Sequence, residues 1–354
     1  MNLEEMVNCV VEPDWSMAKE ARERQQTLTK PPGSLGELEA VAAQVAAVTR
    51  RCPPLIPRRP EILLFASDHG VALDGVTPWP QSVTAQMVLN IARGGAAINA
   101  IARVVGASLH VIDVGVATDF DGTNAVVDRK VRRGTSSLAQ GPAMTLDEAR
   151  RSIEVGFEFT KDRCQAGADL IVPGDMGIGN TTASAATIAS LTQSSAQLVT
   201  GRGTGIDDEH FARKVSVIED ALARLSVTEQ GSEGDALRTL ASLGGFEIGA
   251  IAGAILAASS SHVPVVIDGV IALAGALVAV GLQPLVRDYC VAGHRSTEPA
   301  ASIALRSLEL SPLLDLALRL GEGTGAALAV PIVQAACATL LEMATFEGAG
   351  VSQA

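Results

Sequence analysis

The chain is poor in aromatic residues: Phe, Trp and Tyr make up 3% of 354 residues, and there is a single Tyr. Its core must close on small aliphatic side chains, and 34 glycines with abundant alanine suit tight helix-on-sheet contact. Basic residues are outnumbered: 27 Lys and Arg against 39 Asp and Glu give 27 − 39 = −12. This argues against a nucleic-acid binder, which needs a basic face to replace phosphate counterions. The five cysteines (Cys9, Cys52, Cys164, Cys290, Cys337) are odd in number and scattered, with no CxxC. They form no disulfide framework and fit a reducing cytoplasm, each as a small buried apolar residue. There is no GxxxxGK(S/T) loop for nucleotide hydrolysis, no HExxH or Cys/His cluster for a metal, and no GxSxG for a serine hydrolase. Met1-Asn2-Leu3-Glu4-Glu5 lacks the basic and apolar regions of a signal peptide. The mean hydropathy is +0.29, yet the longest uninterrupted apolar run, Gly269 to Leu282, falls short of the roughly 18–20 residues of a bilayer-crossing helix. No membrane partner is expected.

What is present reads as an α/β protein. The length allows one large domain with an appendage, or two domains. Residues 1–60 look helical and linker-like. Ser34 is placed to cap a helix running from Leu35 through Val48, with Glu37 as its capping-box partner. Cys52 to Pro60 holds four prolines and reads as a linker. From residue 61, short aliphatic runs alternate with Ala-rich helical stretches, the signature of a Rossmann-like, mostly parallel sheet flanked by helices. The clearest strands are 61–65, 109–114, 169–172 and 263–267. Leu313 to Leu320 reads as helical.

Several strands end on an acid near glycine: Asp68-His69-Gly70, Asp113-Val114-Gly115, Gly174-Asp175-Met176-Gly177 and Asp268-Gly269. A parallel sheet brings such tips to one edge, where open α/β sheets bind ligands. Asp-Gly is equally ordinary turn chemistry; four alike tips favour a site. The loop Gly174 to Thr182 follows a strand and precedes an Ala-rich helix. Its glycines allow close backbone approach, the helix start offers free N–H groups to a phosphate, and Thr181 and Thr182 are placed to cap the helix. Two GxGTG loops, Gly201 to Gly205 and Gly321 to Gly325, stand out further on. In the second, Glu322 sits between Gly321 and Gly323, either as an enclosed base beside a flat ligand or as an exposed turn glutamate. Among the five histidines, His69 and His294 lie in polar, turn-rich segments suited to ligand contact.

Taken together, these segments resemble the nicotinate-nucleotide:5,6-dimethylbenzimidazole phosphoribosyltransferase family. The likeness rests on Leu28-Thr29-Lys30-Pro31-Pro32-Gly33-Ser34-Leu35-Gly36, Ser67-Asp68-His69-Gly70, Val83-Thr84-Ala85-Gln86-Met87, the Gly174–Thr182 loop, Gly244-Gly245-Phe246-Glu247, His294-Arg295-Ser296 and Leu320–Ala327, all in the family's order. It implies transfer of ribose 5-phosphate from nicotinate mononucleotide to dimethylbenzimidazole without cofactor or metal, in a cytoplasmic homodimer. It also implies a base at Glu322, a second carboxylate at Asp175, where many relatives carry Glu, and an orienting carboxylate at Asp268. The phosphate is expected at Gly177, Gly179, Asn180 and Thr181 with Lys214 and Ser296. The acceptor is expected near Trp79 and Met87, with Asp68 and His69 at the neighbouring strand tip. The family's architecture divides the chain into a helical part at 1–60, a large α/β domain at 61–310, and a helical part at 311–354 that completes the small domain.

Overall fold

The computed structural model describes residues 1–120, 122–203, 205–226 and 235–352. Thr204 of the first GxGTG loop lies outside them. Six strands form one parallel sheet: β1 (Pro60–Ser67), β2 (Ser108–Gly115), β3 (Val127–Asp128), β4 (Leu170–Met176), β5 (Val265–Ile267) and β6 (Cys290–Ala292). Their order is β3-β2-β1-β4-β5-β6. The chain builds outward from β1 to β3, then returns to the other side of β1 and builds outward again. The order therefore reverses between β1 and β4, whose ends lie side by side with Phe65 opposite Asp175 and Ala66 opposite Met176. Loops leaving the two strands diverge there and open a crevice at the carboxyl edge.

Both faces of the sheet are buried, so its strands read as unbroken apolar runs. Leu63, Phe65 and Ile171 face one layer, which includes the helices Leu146–Gln165, Phe246–Ser260 and Val270–Leu282; Ile62, Leu64 and Val172 face the other. On that second face the helices Glu37–Thr49 and Thr324–Glu342 meet, so the two chain ends pack together. Arg24 Nε ties them further by donating to the Leu340 carbonyl at 2.8 Å. Scarce aromatics are explained by the first layer. A Cβ on Gly156 would lie 1.9 Å from the Ala250 carbonyl oxygen, and one on Gly253 1.9 Å from that of Ile153. The two helices cross so closely that only hydrogen fits at these points.

The structure corrects five local readings. The first long helix starts at Glu37 with Gly36 as its N-cap, not at Leu35 under Ser34; Glu39 instead accepts from the Leu35 amide at 3.1 Å and from Lys30 Nζ at 2.7 Å. Leu313 to Leu320 is not helical, because its backbone is used elsewhere: the Leu313 and Leu314 amides donate to Ala292 and Gly293, extending the end of β6. Thr181 and Thr182 do not cap the helix Asn180–Thr192; Gly179, at φ 96°, occupies that position. Of the five cysteines only Cys290 and Cys337 are buried. Lastly, Thr324–Glu342 and the stretch Ser82–Val105 are long and apolar enough to cross a membrane by length and composition. In the first, Pro331, Gln334 and Thr339 break the apolar run without adding charge, and Ala326, Ala329, Val330 and Val333 are buried in the core. The second breaks at Arg93-Gly94-Gly95 into Ser82–Ala92 and Ala97–Val105.

Candidate functional site

A cleft enclosing about 870 Å³ of empty volume, partly open to solvent, lies at the switch point. Its floor runs from Asp175 and Met176 at the end of β4, through the glycine turn, to Thr182 in the first turn of the next helix. Its walls are Gly269 to Ile271 after β5, His294 to Glu298 after β6, and Arg319 to Glu322; Val76, Thr77 and Trp79, downstream of β1, line its mouth. Segments distant in sequence converge because each leaves the same edge of one parallel sheet.

Five buried carboxylates gather in and around the cleft, and their partners differ; Glu298 accepts from the Gly203 amide at 2.9 Å. Asp268 is the best satisfied. It accepts from the Gly323 amide at 3.2 Å and the Ala326 amide at 2.9 Å, at the start of the helix Thr324–Glu342, and lies 3.2 Å from His294 Nε2. A carboxylate at a helix N-terminus meets unpaired N–H groups and the positive end of the dipole. Glu247 is paired with His69 Nε2 at 2.8 Å. Asp175 has only the Asn180 side-chain amide, at 2.9 Å. Burial raises its pKa well above the ordinary value, and the charges of Asp268, Glu247 and Glu322 push the same way. Glu322 has one oxygen, Oε2, buried without a hydrogen-bond partner. Its pKa is raised by burial and further by Asp268, against an opposing Ile98 amide. Glu322 is also held at φ 61°, a left-handed conformation unusual outside glycine. Gly174 helps to hold it: a Cβ there would lie 2.7 Å from the Glu322 carbonyl oxygen.

The other end of the cleft is cationic. Lys214 is buried on the helix Asp208–Ser226, donating to Thr181 Oγ1 at 3.0 Å and to the Gly201 carbonyl at 3.2 Å. Burial lowers its pKa to about 8 despite the nearby Glu298. The Asn180–Thr192 helix begins beside it after Gly179. A helix start with a neighbouring ammonium is a natural anion site. Among the described residues no group of three or more His, Cys, Asp or Glu side chains could hold a metal ion.

The cleft thus brings together Glu322, Asp175, Gly177, Gly179, Asn180, Thr181, Lys214, Ser296, Gly321 and Trp79. Asp268 and Gly323 stand directly behind its wall, joined by their hydrogen bond. Three further predicted residues do not line it either. Met87 sits half-buried on the helix Ser82–Ala92. His69 lies beneath the floor, where a Cβ on Gly177 would come 3.4 Å from its ring. Asp68 accepts from the Ala117 amide at 2.8 Å, and Asp113 is bound by Lys130 at 2.8 Å and by the Gly115 and Val116 amides. Of the four acidic tips, Asp113 is turn and ion-pair chemistry, Asp68 is tied to a turn amide through Oδ2 with its Oδ1 buried and unpartnered, and Asp175 and Asp268 serve the cleft. Sequence reasoning missed Arg202, Glu298 and Arg319, which line the cleft. Their signal was weak, since none sits in a glycine motif except Arg202, and single charges on loops carry no periodicity.

Fold and site together define an α/β enzyme whose cleft sets buried carboxylates beside a glycine-rich helix start. Residues 10–351 match the model of a family described as phosphoribosyltransferase. The chain is 50% identical over 347 residues to the nicotinate-nucleotide–dimethylbenzimidazole phosphoribosyltransferase of Chloroflexus aurantiacus, covering 98% of this chain and 97% of that relative. The enzyme of the same name from Geobacter sulfurreducens is 46% identical, over 99% of this chain and 98% of its own. The crystal structure of CobT from Thermus thermophilus matches with a TM-score of 0.91 at 46% identity, covering 96% of this chain and all of that one. The chain belongs to this phosphoribosyltransferase family.

Proposed function

We propose that the protein transfers the ribose 5-phosphate of nicotinate mononucleotide to 5,6-dimethylbenzimidazole, giving α-ribazole 5′-phosphate and nicotinate. The observation that carries this reading is Glu322: a carboxylate in the cleft wall, fixed in an unusual backbone conformation, with one buried oxygen that nothing in the protein satisfies. The N–H of a benzimidazole would satisfy it. Glu322 takes that proton, and the electron pair released into the ring makes the other nitrogen nucleophilic. That nitrogen forms a bond to C1′ from the face opposite nicotinate. The C1′–N bond breaks, its electron pair neutralises the pyridinium, and nicotinate leaves. Inversion turns the β-glycoside into an α-glycoside. Asp268, behind the wall, supplies negative charge that favours a cationic C1′, and Asp175, whose ionisation burial disfavours, lies beside it as a hydrogen-bonding carboxyl. The phosphate is held at the cationic end by the Asn180–Thr192 helix start, Thr181 and Lys214, with Ser296 on the facing wall.

The working form in this reading is a cytoplasmic homodimer. Leu73 and Val104 are 77% and 85% exposed, large apolar side chains that a second copy would cover. The test of the reaction is incubation with nicotinate mononucleotide and dimethylbenzimidazole, followed by mass detection of α-ribazole phosphate. A panel of adenine, other benzimidazoles and phenols, followed by nicotinate release, tests the acceptor. Absence of nicotinate release with every acceptor would refute the proposal.

A further inference from the structure

The two GxGTG loops are joined by a residue that the proposed reaction leaves without a role. Arg319 lies three residues before Glu322, lines the cleft, and donates through Nη1 to the Gly203 carbonyl at 2.6 Å. Among the described residues it has no carboxylate partner. Its neighbour Arg202 differs, being paired with Asp208, bonded to the Ile206 carbonyl and set over the Phe211 ring. A guanidinium has five N–H donors; the Gly203 carbonyl engages one of the nitrogens and leaves the rest of the fork to a ligand.

Position indicates which ligand. A Cβ on Gly203 would lie 3.2 Å from Thr181 Oγ1, and that oxygen accepts from Lys214 Nζ at 3.0 Å. Arg319, Thr181 and Lys214 therefore converge around Gly203, beside the start of the Asn180–Thr192 helix. This end of the cleft has N–H donors and two cations, Lys214 buried in the wall and Arg319 on the open side, with one buried carboxylate, Glu298, which accepts from the Gly203 amide at 2.9 Å. A dianionic phosphate fits between such groups, and Arg recognises it with paired N–H donors.

We propose that Arg319 is a phosphate-binding residue that couples occupation of the phosphate end to the placement of Glu322. The inference rests on the transfer reaction proposed above. Binding energy from the non-reacting phosphate would hold the 319–322 segment, and with it the base, against the cleft. Truncated substrate should then lose turnover as well as affinity.

The experiment compares wild type with Arg319→Gln on three donors: nicotinate mononucleotide, nicotinate riboside, which lacks phosphate, and nicotinamide mononucleotide, which lacks the carboxylate. Loss of a charge-assisted contact to phosphate should cut kcat/KM about 10- to 100-fold on both nucleotides. On the riboside the variant should match wild type within about 2-fold, the size of an ordinary surface substitution. Arg319→Lys should recover part of the loss, and inorganic phosphate should inhibit the Gln variant more weakly than wild type. A penalty that persists on the riboside but vanishes on the nicotinamide nucleotide would assign Arg319 to the carboxylate and overturn the proposal. An equal penalty on all three, or none, would also overturn it. If wild type releases no nicotinate, the transfer reaction itself has failed; if only the variant pattern is wrong, this inference alone has.

Discussion

Replacing Glu322 by Gln changes one atom type at the place where the chemistry is assigned. The side chain keeps its length and volume, and its buried Oε2 position keeps a polar atom, but the group can no longer accept a proton. A positioned general base contributes about 10²–10⁴-fold, or roughly 3–5 kcal/mol of transition-state free energy. The nearby carboxylates are poor substitutes. Asp175 has its own ionisation disfavoured by burial and three acidic neighbours, and Asp268 spends its oxygens on two amides and His294. The expected result is a loss of kcat in that range with little change in affinity for nicotinate mononucleotide, since its phosphate contacts lie elsewhere. Burial raises the Glu322 pKa above its ordinary 4.5, so activity should rise with pH through an acid limb displaced upward. Gln should abolish that limb. Stability should move the other way. A carboxyl with a raised folded pKa contributes its full stability below the unfolded value and loses it as pH rises through the folded one. Gln removes that loss, so the melting temperature at pH 8 should equal or exceed wild type. Steady-state kinetics from pH 5 to 9 with parallel melting curves check all three. Turnover within about 5-fold of wild type would refute the base assignment, since it falls far below the contribution of such a base.

Asp175→Asn should behave similarly in stability, with a larger gain at pH 8 than at pH 5, because burial holds the Asp175 pKa well above the ordinary value. Thermal melts at the two pH values check this, and a variant less stable at pH 8 would contradict it. Lys214 titrates near 8 in the free protein. Its charge is present below that pH and lost above it, so kcat/KM for nicotinate mononucleotide should fall on the alkaline side with a midpoint near 8; Lys214→Met should flatten this limb and lower kcat/KM throughout. Gly174→Ala should push the Glu322 backbone, since the atoms nearest the new methyl are main chain of Glu322 and Gly323, at 2.7, 2.9 and 3.1 Å. A displaced base costs turnover, about 10²-fold for a 1 Å shift, and single-turnover rates measure it.

Much of the fold was written in local pattern. Alternating aliphatic runs and Ala-rich stretches announce a parallel sheet with helices on both faces, and four strands and the main helices follow from them. β3 escapes this reading because two residues are too few to show a period, and β6, though as long as β5, has one β-branched residue, Val291, where β5 sits in the run Val263 to Ile267. Leu313 to Leu320 carries helical composition, yet β6 takes its amides and draws it into extended backbone, a tertiary competitor that local propensity does not contain. Site residues in glycine motifs, such as Asp175, Asn180, Thr181 and Glu322, stand out because close backbone approach needs glycine. Arg319 and Glu298 do not, because a lone charge on a loop looks the same whether it faces water or a cleft.

Composition by itself determined that this chain would bury small side chains and carry excess acid; the helix crossing at Gly156 and Gly253 gives the first its reason. Acidity needed the tertiary structure to be divided. Strand order places the switch point between β1 and β4, and that geometry decides which carboxylates matter. Asp113, after β2, is answered by backbone amides and Lys130, and Asp68, after β1, is tied to the Ala117 amide with Oδ1 left unpartnered. Asp175 and Glu322 are left in the crevice without a cation, and Asp268 faces two helix-start amides and the His294 ring, because the sheet's topology, not their local sequence, sets what stands opposite each one.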